Sequence, residues 1–278
     1  MEFNQEVRKA TDPIYRKISK VMPEIEWSTH APYIHKINKL KKEKNAVILA
    51  HNYQTQEIYH GIADFSADSL ALAVEASKTS AEIIVMAGVH FMAETAKLMS
   101  PNKKVLLPDM KAGCSLSSSI TGKDVRLLKE KYPGVPVVSY VNTSADVKAE
   151  TDVCCTSANA VKIVKSLGVK KVIFLPDDYL AKYVASQTDV EIIAWKGICM
   201  VHDQFNEKEI NDIRNKNPGI KIIAHPECPP EVIKASDFAG STSGMINYVK
   251  DNQPKKVMMV TECSMSDNIQ VENPNVEF

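Results

Sequence analysis

Val105-Leu-Leu-Pro-Asp-Met-Lys-Ala-Gly-Cys114 reads as a short buried strand that runs into a loop carrying one cysteine. Val190-Glu-Ile-Ile-Ala-Trp-Lys-Gly-Ile-Cys199 has the same plan, and in both the cysteine lies nine positions after the valine and three after a lysine, Lys111 or Lys196. The residues upstream repeat as well. His51, Tyr140 and His225 close compact apolar runs 89 and 85 positions apart, and a serine that begins the next helical period follows 18, 17 and 16 positions later, at Ser69, Ser157 and Ser241. Runs such as Ala46-Val-Ile-Leu-Ala50 show no polar alternation, as a strand buried on both faces requires. Self-similarity at a fixed period of roughly 85 residues predicts three α/β units, each a short parallel sheet between helices. A pseudo-threefold arrangement of such three-layer αβα units would surround a central cavity.

The predicted divisions are an N-terminal helical segment at 1–45 and units at 46–120, 121–205 and 206–278, the last incomplete at its C-terminal end. In the first segment Asp12-Pro13 is read as a helix start and His35–Lys44 as a helix end, with Pro23 and Pro32 as breaks. A helix from Leu70 to Lys78 is expected to carry Leu70, Val74 and Ser77 on one face, and Gly168 is expected to close the helix that starts at Ala158.

At 278 residues, 44% of them hydrophobic, the chain is long enough for more than one core. Its formal net charge of +0, without runs of one sign, gives no electrostatic reason to expect nucleic acid or an anionic membrane as partner. No apolar run approaches the roughly 20 residues a bilayer span needs, and the start lacks the apolar segment of a signal peptide. These features predict a cytoplasmic protein, in which six cysteines are thiols, metal ligands or core rather than disulfides.

Ligands of parallel α/β units bind beyond the carboxyl ends of strands. His51, Tyr140, His225 and both cysteine loops hold that position, so they are candidates for one site. Ser69, Ser157 and Ser241 with Thr242 precede helical periods, where a hydroxyl and free backbone N–H groups suit a carboxylate or phosphate; singly, each reads first as a helix cap, and recurrence at equivalent places in three units turns the reading towards a shared anionic ligand. Any one cysteine is by default a buried structural thiol; Cys114 and Cys199 together suit an iron–sulfur cluster held by widely spaced thiolates, whereas a structural zinc site would ordinarily use close ligand pairs, and no C-x-x-C exists here. Cys154, Cys155, Cys228 and Cys263 fall outside the repeated loop position and are read mostly as core or site lining.

Ala50-His-Asn-Tyr-Gln54, Ala67-Asp-Ser-Leu70, Ala112-Gly-Cys114, Ser139-Tyr-Val-Asn-Thr143, Cys155-Thr-Ser-Ala-Asn159, Gly197-Ile-Cys-Met-Val-His202, His225-Pro-Glu-Cys228 and Gly240-Ser-Thr-Ser-Gly244 resemble quinolinate synthase, in order and without large gaps from about residue 20 to the end. The resemblance implies an enzyme of NAD biosynthesis that condenses iminoaspartate, supplied by an aspartate-oxidising enzyme, with dihydroxyacetone phosphate. Phosphate and two waters are lost and quinolinate is formed. It implies a [4Fe–4S] cluster on three cysteines, two of them corresponding to Cys114 and Cys199, with an open iron as Lewis acid. By the same resemblance His51, Tyr140 and His225 bind substrate, Tyr53 and Glu227 transfer protons, Asn142 orients the ligand, and His202 lines the pocket. Ser69, Ser157, Ser241 and Thr242 would hold anionic groups, and a monomer or homodimer would suffice. The register of the repeat puts the third cysteine near position 285, with Val276 as the equivalent strand valine, beyond a sequence that ends at Phe278. A shortened chain with a labile or unformed cluster is the expectation. Readings outside this family are a zinc-dependent aldolase or hydro-lyase acting on a phosphorylated ketose, and a non-catalytic iron–sulfur protein.

Overall fold

A computed structural model describes residues 2–278. Its eleven strands are β1 (Ala46–His51), β2 (Phe65–Ala67), β3 (Ile83–Ala87), β4 (Lys104–Leu106), β5 (Val137–Tyr140), β6 (Val153–Cys155), β7 (Lys171–Leu175), β8 (Glu191–Ala194), β9 (Lys221–Ala224), β10 (Phe238–Ala239) and β11 (Val257–Val260) among the described residues. They form three separate sheets with orders β2-β1-β3-β4, β6-β5-β7-β8 and β10-β9-β11. All pairings are parallel, and each sheet is flanked by helices. Central strands are buried as their sequences require: Leu49, Ala50, Val137, Val138, Phe174, Leu175, Ile222 and Ile223 are fully enclosed.

Two compact units make up the chain, one of Met1–Met110 with Cys263–Phe278 and one of Lys111–Glu262. The first holds the sheet of β1–β4. In it two N-terminal helices, Gln5–Ile18 and Glu24–Glu43, share a core of Val7, Ile18, Met22, Trp27, Ala31 and Ile34. The second holds both other sheets, with cores around Val138, Phe174 and Leu180 and around Ile222, Val232 and Val260.

One contact recurs in all three sheets and explains why they share a plan. Asp64, Asp152 and Asp237 each precede the second strand of their sheet, and each accepts a hydrogen bond from a backbone N–H of the first strand, of Ile48, Val137 or Ile222, at 2.8 Å. Their own N–H groups donate to the carbonyls of the same three residues, at 2.9, 3.1 and 2.7 Å. Each carboxylate also pairs with a base 23 positions earlier in the preceding helix, Lys41 at 2.8 Å, Lys129 at 3.6 Å and Arg214 at 3.0 Å. One acidic residue thus satisfies the start of the first strand, which would otherwise leave a donor without a partner. It also ties the helix to the sheet. Helix Glu24–Glu43 therefore stands in the same place in its repeat as Gly122–Lys131 and Glu207–Lys216 do in theirs. Asp237→Ala is expected to lower stability by about 1–3 kcal/mol, because it leaves the buried Ile222 N–H without its partner and removes the acceptor of Arg214 Nη1, while Arg214 Nη2 keeps its bond to Ala235 O. Asp237→Asn, which keeps an acceptor, should lose less; urea midpoints of the two variants provide the check.

Several local expectations are corrected. The first helix starts at Gln5, capped by the Asn4 side chain, and runs through Pro13. Pro32 is buried within Glu24–Glu43 and does not break it. Helix Ser69–Lys78 buries Leu72, Ala73 and Ala76, while Leu70 is exposed. The strand at Val105 is Lys104–Leu106, a sheet edge that is only half-buried at Val105, and β8 is likewise an edge. Val276 belongs to no strand: it is buried in the turn after helix Ser264–Glu272, within the first unit, and its N–H donates to Asn273 O at 3.0 Å. Gly168 does follow its helix in the left-handed region, at φ +64°, where a side chain would be strained.

Candidate active site

In the second unit the loops after the carboxyl ends of β5, β8, β9 and β11 bring together several of the candidate residues. Glu227 lies two positions after His225 in the turn that leaves β9, and is 3% exposed. Its Oε1 accepts from the Tyr140 hydroxyl at 2.6 Å and from Asn142 Nδ2 at 3.4 Å. Its Oε2 lies 3.0 Å from His202 Nδ1. The His202 and His225 rings stack with centroids 4.9 Å apart, and His225 Nε2 lies 3.2 Å from Ser157 Oγ. Cys199 Sγ is 3.1 Å from His202 Nδ1, while His202 Nε2 is 3.0 Å from Thr261 Oγ1.

Burial alone would raise the Glu227 carboxyl, but the His225 charge, the His202 hydrogen bond and charge, and the Tyr140 hydroxyl together hold it below the usual carboxylate range. Asp177 goes the other way: burial first, then the nearby Glu227 charge, push it well above that range, so of these two neighbours it is Asp177 that keeps the proton. Burial pushes the Cys114 thiol up to about 11 and raises Cys199 further, with Glu227 adding to both.

Asp177 was not among the candidates from sequence. It follows Pro176 at the end of β7, is wholly buried, and caps helix Asp178–Ser186 by accepting from Leu180 N at 2.6 Å. Its Oδ2 has no partner among the described residues, and the same holds for Asn142 Oδ1. Such atoms are rare in a folded interior and mark where a ligand or water completes the set. The only hint in the sequence was Pro176-Asp-Asp, which reads as an ordinary helix start. Thr261, after β11, carried no signal at all.

The serines fall into three different roles. Ser241 is a true cap, accepting from Gly244 N at 3.2 Å, with Thr242 buried at the first helical position. Ser157 lies in a turn ahead of helix Ala160–Ser166 and faces His225 rather than capping. Ser69 is the first residue of its helix, and the cap is Asp68, which accepts from Ala71 N at 2.9 Å.

In the first unit His51 ends β1, buried, with its ring edge-on to Tyr53 at 4.7 Å. Tyr53 N approaches His51 Nδ1 at 3.3 Å, matching Glu227 N and His225 Nδ1 at 3.4 Å. Tyr53, Asn142 and Glu227 are thus the same position of the repeat. The loop is held from helix Ser264–Glu272: Asn268 Nδ2 donates to Asn52 O at 3.3 Å and Gln54 O at 2.7 Å, a clamp that no sequence pattern announced.

Among the cysteines, Cys155 and Cys228 are buried and Cys154 and Cys263 exposed, whereas Cys114 and Cys199 are half-buried against one apolar cluster that includes Leu116 and Tyr140. Both also feel the Glu227 charge. Two partly accessible thiols with a shared apolar wall fit two ligand positions of an iron–sulfur cluster.

Residues 35–278 match the family described as quinolinate synthetase A protein. The chain belongs to the quinolinate synthetase A family. It is 60% identical over 278 residues to quinolinate synthase of Sinorhizobium fredii (strain NBRC 101917 / NGR234), covering 100% of this chain and 77% of that protein. Quinolinate synthase of Caulobacter vibrioides (strain NA1000 / CB15N) is 58% identical over 280 residues, with 99% of this chain and 76% of that protein covered. Quinolinate synthase 1 of Mesorhizobium japonicum is 60% identical over 265 residues, with shares of 95% and 82%. The family is one of enzymes, as the resemblance of its motifs implied. Among the described residues no helix is long and apolar enough to cross a membrane.

Proposed function

We propose that the chain catalyses quinolinate formation from iminoaspartate and dihydroxyacetone phosphate, in the cytoplasm, as a step of NAD biosynthesis. The observation that carries this reading is the buried Tyr140–Glu227–His202 chain beside His225 and Cys199, at strand ends of a chain that matches the quinolinate synthetase A family from residue 35 on. Glu227 is held ionised among three hydrogen-bonding neighbours, which suits it to take a proton from a carbon or hydroxyl of bound substrate and return it. Tyr140 and Asn142 hold that carboxylate, and the second N–H of the Asn142 amide can donate to a substrate oxygen as it leaves. The unpartnered Asn142 Oδ1 offers an acceptor to a substrate N–H or O–H. His225, with Ser157 Oγ at 3.2 Å, and the capped helix start at Ser241 and Thr242 suit the carboxylate and phosphate groups of two anionic substrates. His51, Tyr53 and Ser69 take substrate-binding and proton-transfer parts by family resemblance.

Cys114 and Cys199 would hold a [4Fe–4S] cluster, and when bound it supplies a Lewis acid for the departing hydroxyl. Iminoaspartate is unstable in water, so an aspartate-oxidising enzyme must supply it. The test is anaerobic: the chain is reconstituted with iron and sulfide, both substrates are added, and quinolinate is measured by its ultraviolet absorbance. Quinolinate formation that depends on both substrates supports the reading. A chain that assembles the cluster and binds quinolinate without forming it overturns the catalytic assignment.

A further inference from the structure

The sequence offered no close pair of cysteines for zinc, yet the fold assembles a three-donor group from two strand ends. Cys199 and His202 are three positions apart on one turn, at the start of the short helix His202–Gln204, and Glu227 arrives from the turn after β9. The thiol, the imidazole Nδ1 and a carboxylate oxygen all lie within 4.8 Å of one another. Two of the separations are 3.1 Å and 3.0 Å, with His202 Nδ1 between the other two donors. Donors about 2.0–2.3 Å from a common centre stand 3–4 Å apart, so the two edges at His202 Nδ1 need only a few tenths of an ångström of expansion, and the third, from the thiol to the carboxylate, lies within 4.8 Å.

The surroundings have the features of a ligand set. His202 and Glu227 are 1% and 3% exposed, so neither side chain has to be pulled from solvent. The far nitrogen of His202, Nε2, is fixed 3.0 Å from Thr261 Oγ1. That partner accepts the Nε2 proton and leaves the Nδ1 lone pair for a metal, which is how metal-bound imidazoles are usually oriented. Sulfur, nitrogen and one carboxylate oxygen select a borderline-soft ion over magnesium or calcium. Three protein donors leave a fourth position for water.

We infer that Cys199, His202 and Glu227 form a binding site for a zinc-class divalent cation, distinct in its ligands from the Cys114 and Cys199 pair. Binding displaces two protons to solvent, that of the Cys199 thiol and that on His202 Nδ1 facing Glu227, and forms one S–metal, one N–metal and one O–metal bond, with no change of oxidation state. Cys199 is shared with the proposed cluster, and Glu227 with the proposed proton transfer. On that reading of function, the cation excludes the cluster and stops the reaction.

The test uses the full chain, freed of metal under anaerobic conditions and titrated with Co²⁺ and then Zn²⁺. The expected result is one Co²⁺ per chain with a thiolate-to-cobalt band in the near ultraviolet and intense visible bands of four-coordination, all bleached by Zn²⁺. His202→Ala should weaken Co²⁺ binding by about 100-fold, and Thr261→Val by about tenfold through the lost orienting contact. Should His202→Ala fail to fold, Thr261→Val decides. Cys114→Ala should bind Co²⁺ as the unaltered chain does while losing iron uptake. Absence of the thiolate band overturns the inference, as does Co²⁺ affinity that is indifferent to Thr261→Val or lost equally in Cys114→Ala. A chain that binds Co²⁺ as described but, freed of that metal and reconstituted with iron and sulfide, assembles the cluster and makes no quinolinate refutes the proposed reaction and leaves this site standing.

Discussion

Glu227→Gln is expected to lower turnover by about 10²–10⁴-fold, the range that a positioned proton-transfer group supplies. Affinity for quinolinate should change far less. The amide has the volume of the acid and enters the same buried slot, where Glu227 is 3% exposed. Its oxygen can still accept from Tyr140, which donates to Oε1 at 2.6 Å, and its nitrogen faces His202 Nδ1, now 3.0 Å from Oε2. What it loses is the charge and the ability to take up a proton. Single-turnover measurement beside a binding isotherm separates the two effects. Equal losses in binding and turnover would show that Glu227 positions substrate instead, and an unchanged turnover would remove it from the chemistry altogether. The variant has a stability signature too. A carboxyl held below its usual range stabilises the fold at pH above its unfolded value and loses that contribution as pH falls through the folded value. Glu227→Gln should therefore flatten the acid side of the stability profile.

The sequence was informative where one residue type served one purpose in each repeat. Buried parallel strands leave unbroken apolar runs, so β1, β5, β7 and β9 could be read directly, and the side chains at their ends followed. Edge strands such as β4 and β8 are half-exposed and carry Lys104 and Glu191, so their burial was overstated. The repeated aspartates Asp64, Asp152 and Asp237 lay in plain view at a spacing of 23 from Lys41, Lys129 and Arg214, yet charged residues at that distance read as solvated surface until backbone partners are known. Pro32 shows the opposite failure, since a proline in the first half of a long helix is tolerated when the helix's own Trp27, Ala31 and Ile34, buried in the core shared with the first helix, sustain the segment. The Cys199–His202–Glu227 group was invisible because Glu227 is 25 positions beyond His202 and meets it only where the loops after β8 and β9, strands of two separate sheets, come together. Asn268 and Thr261 act through single side-chain contacts, and a single amide or hydroxyl has no period to detect.

Gly113 and Gly197 precede the two repeated cysteines and look alike in sequence, but alanine should affect them very differently. A Cβ on Gly113 would meet only Lys111 O, at 3.6 Å, an ordinary contact. Gly113→Ala is therefore expected to stay within about 0.5 kcal/mol of the unaltered chain. A Cβ on Gly197 would lie 2.5 Å from Pro176 O and 2.6 Å from Ser119 Oγ. The serine hydroxyl could rotate away, at the loss of its 2.8 Å bond to Leu116 O. Pro176 O cannot move, because it is backbone and accepts the Gly197 N–H at 3.1 Å, while Asp178 N donates back to Gly197 O at 2.8 Å. The two loops that leave β7 and β8 are thus paired at Asp177 and Gly197, and no room exists between them. Overpacking of this kind costs about 1–3 kcal/mol, more when backbone must shift. The shift would pass two residues on to Cys199 and to its 3.1 Å contact with His202. Gly197→Ala should lower the urea midpoint and, in the fraction that folds, weaken both iron uptake and Co²⁺ binding, whereas Gly113→Ala should leave the midpoint and Co²⁺ binding in place. Equal tolerance of the two alanines would mean that the Asp177–Gly197 pairing does not set the position of the Cys199 loop.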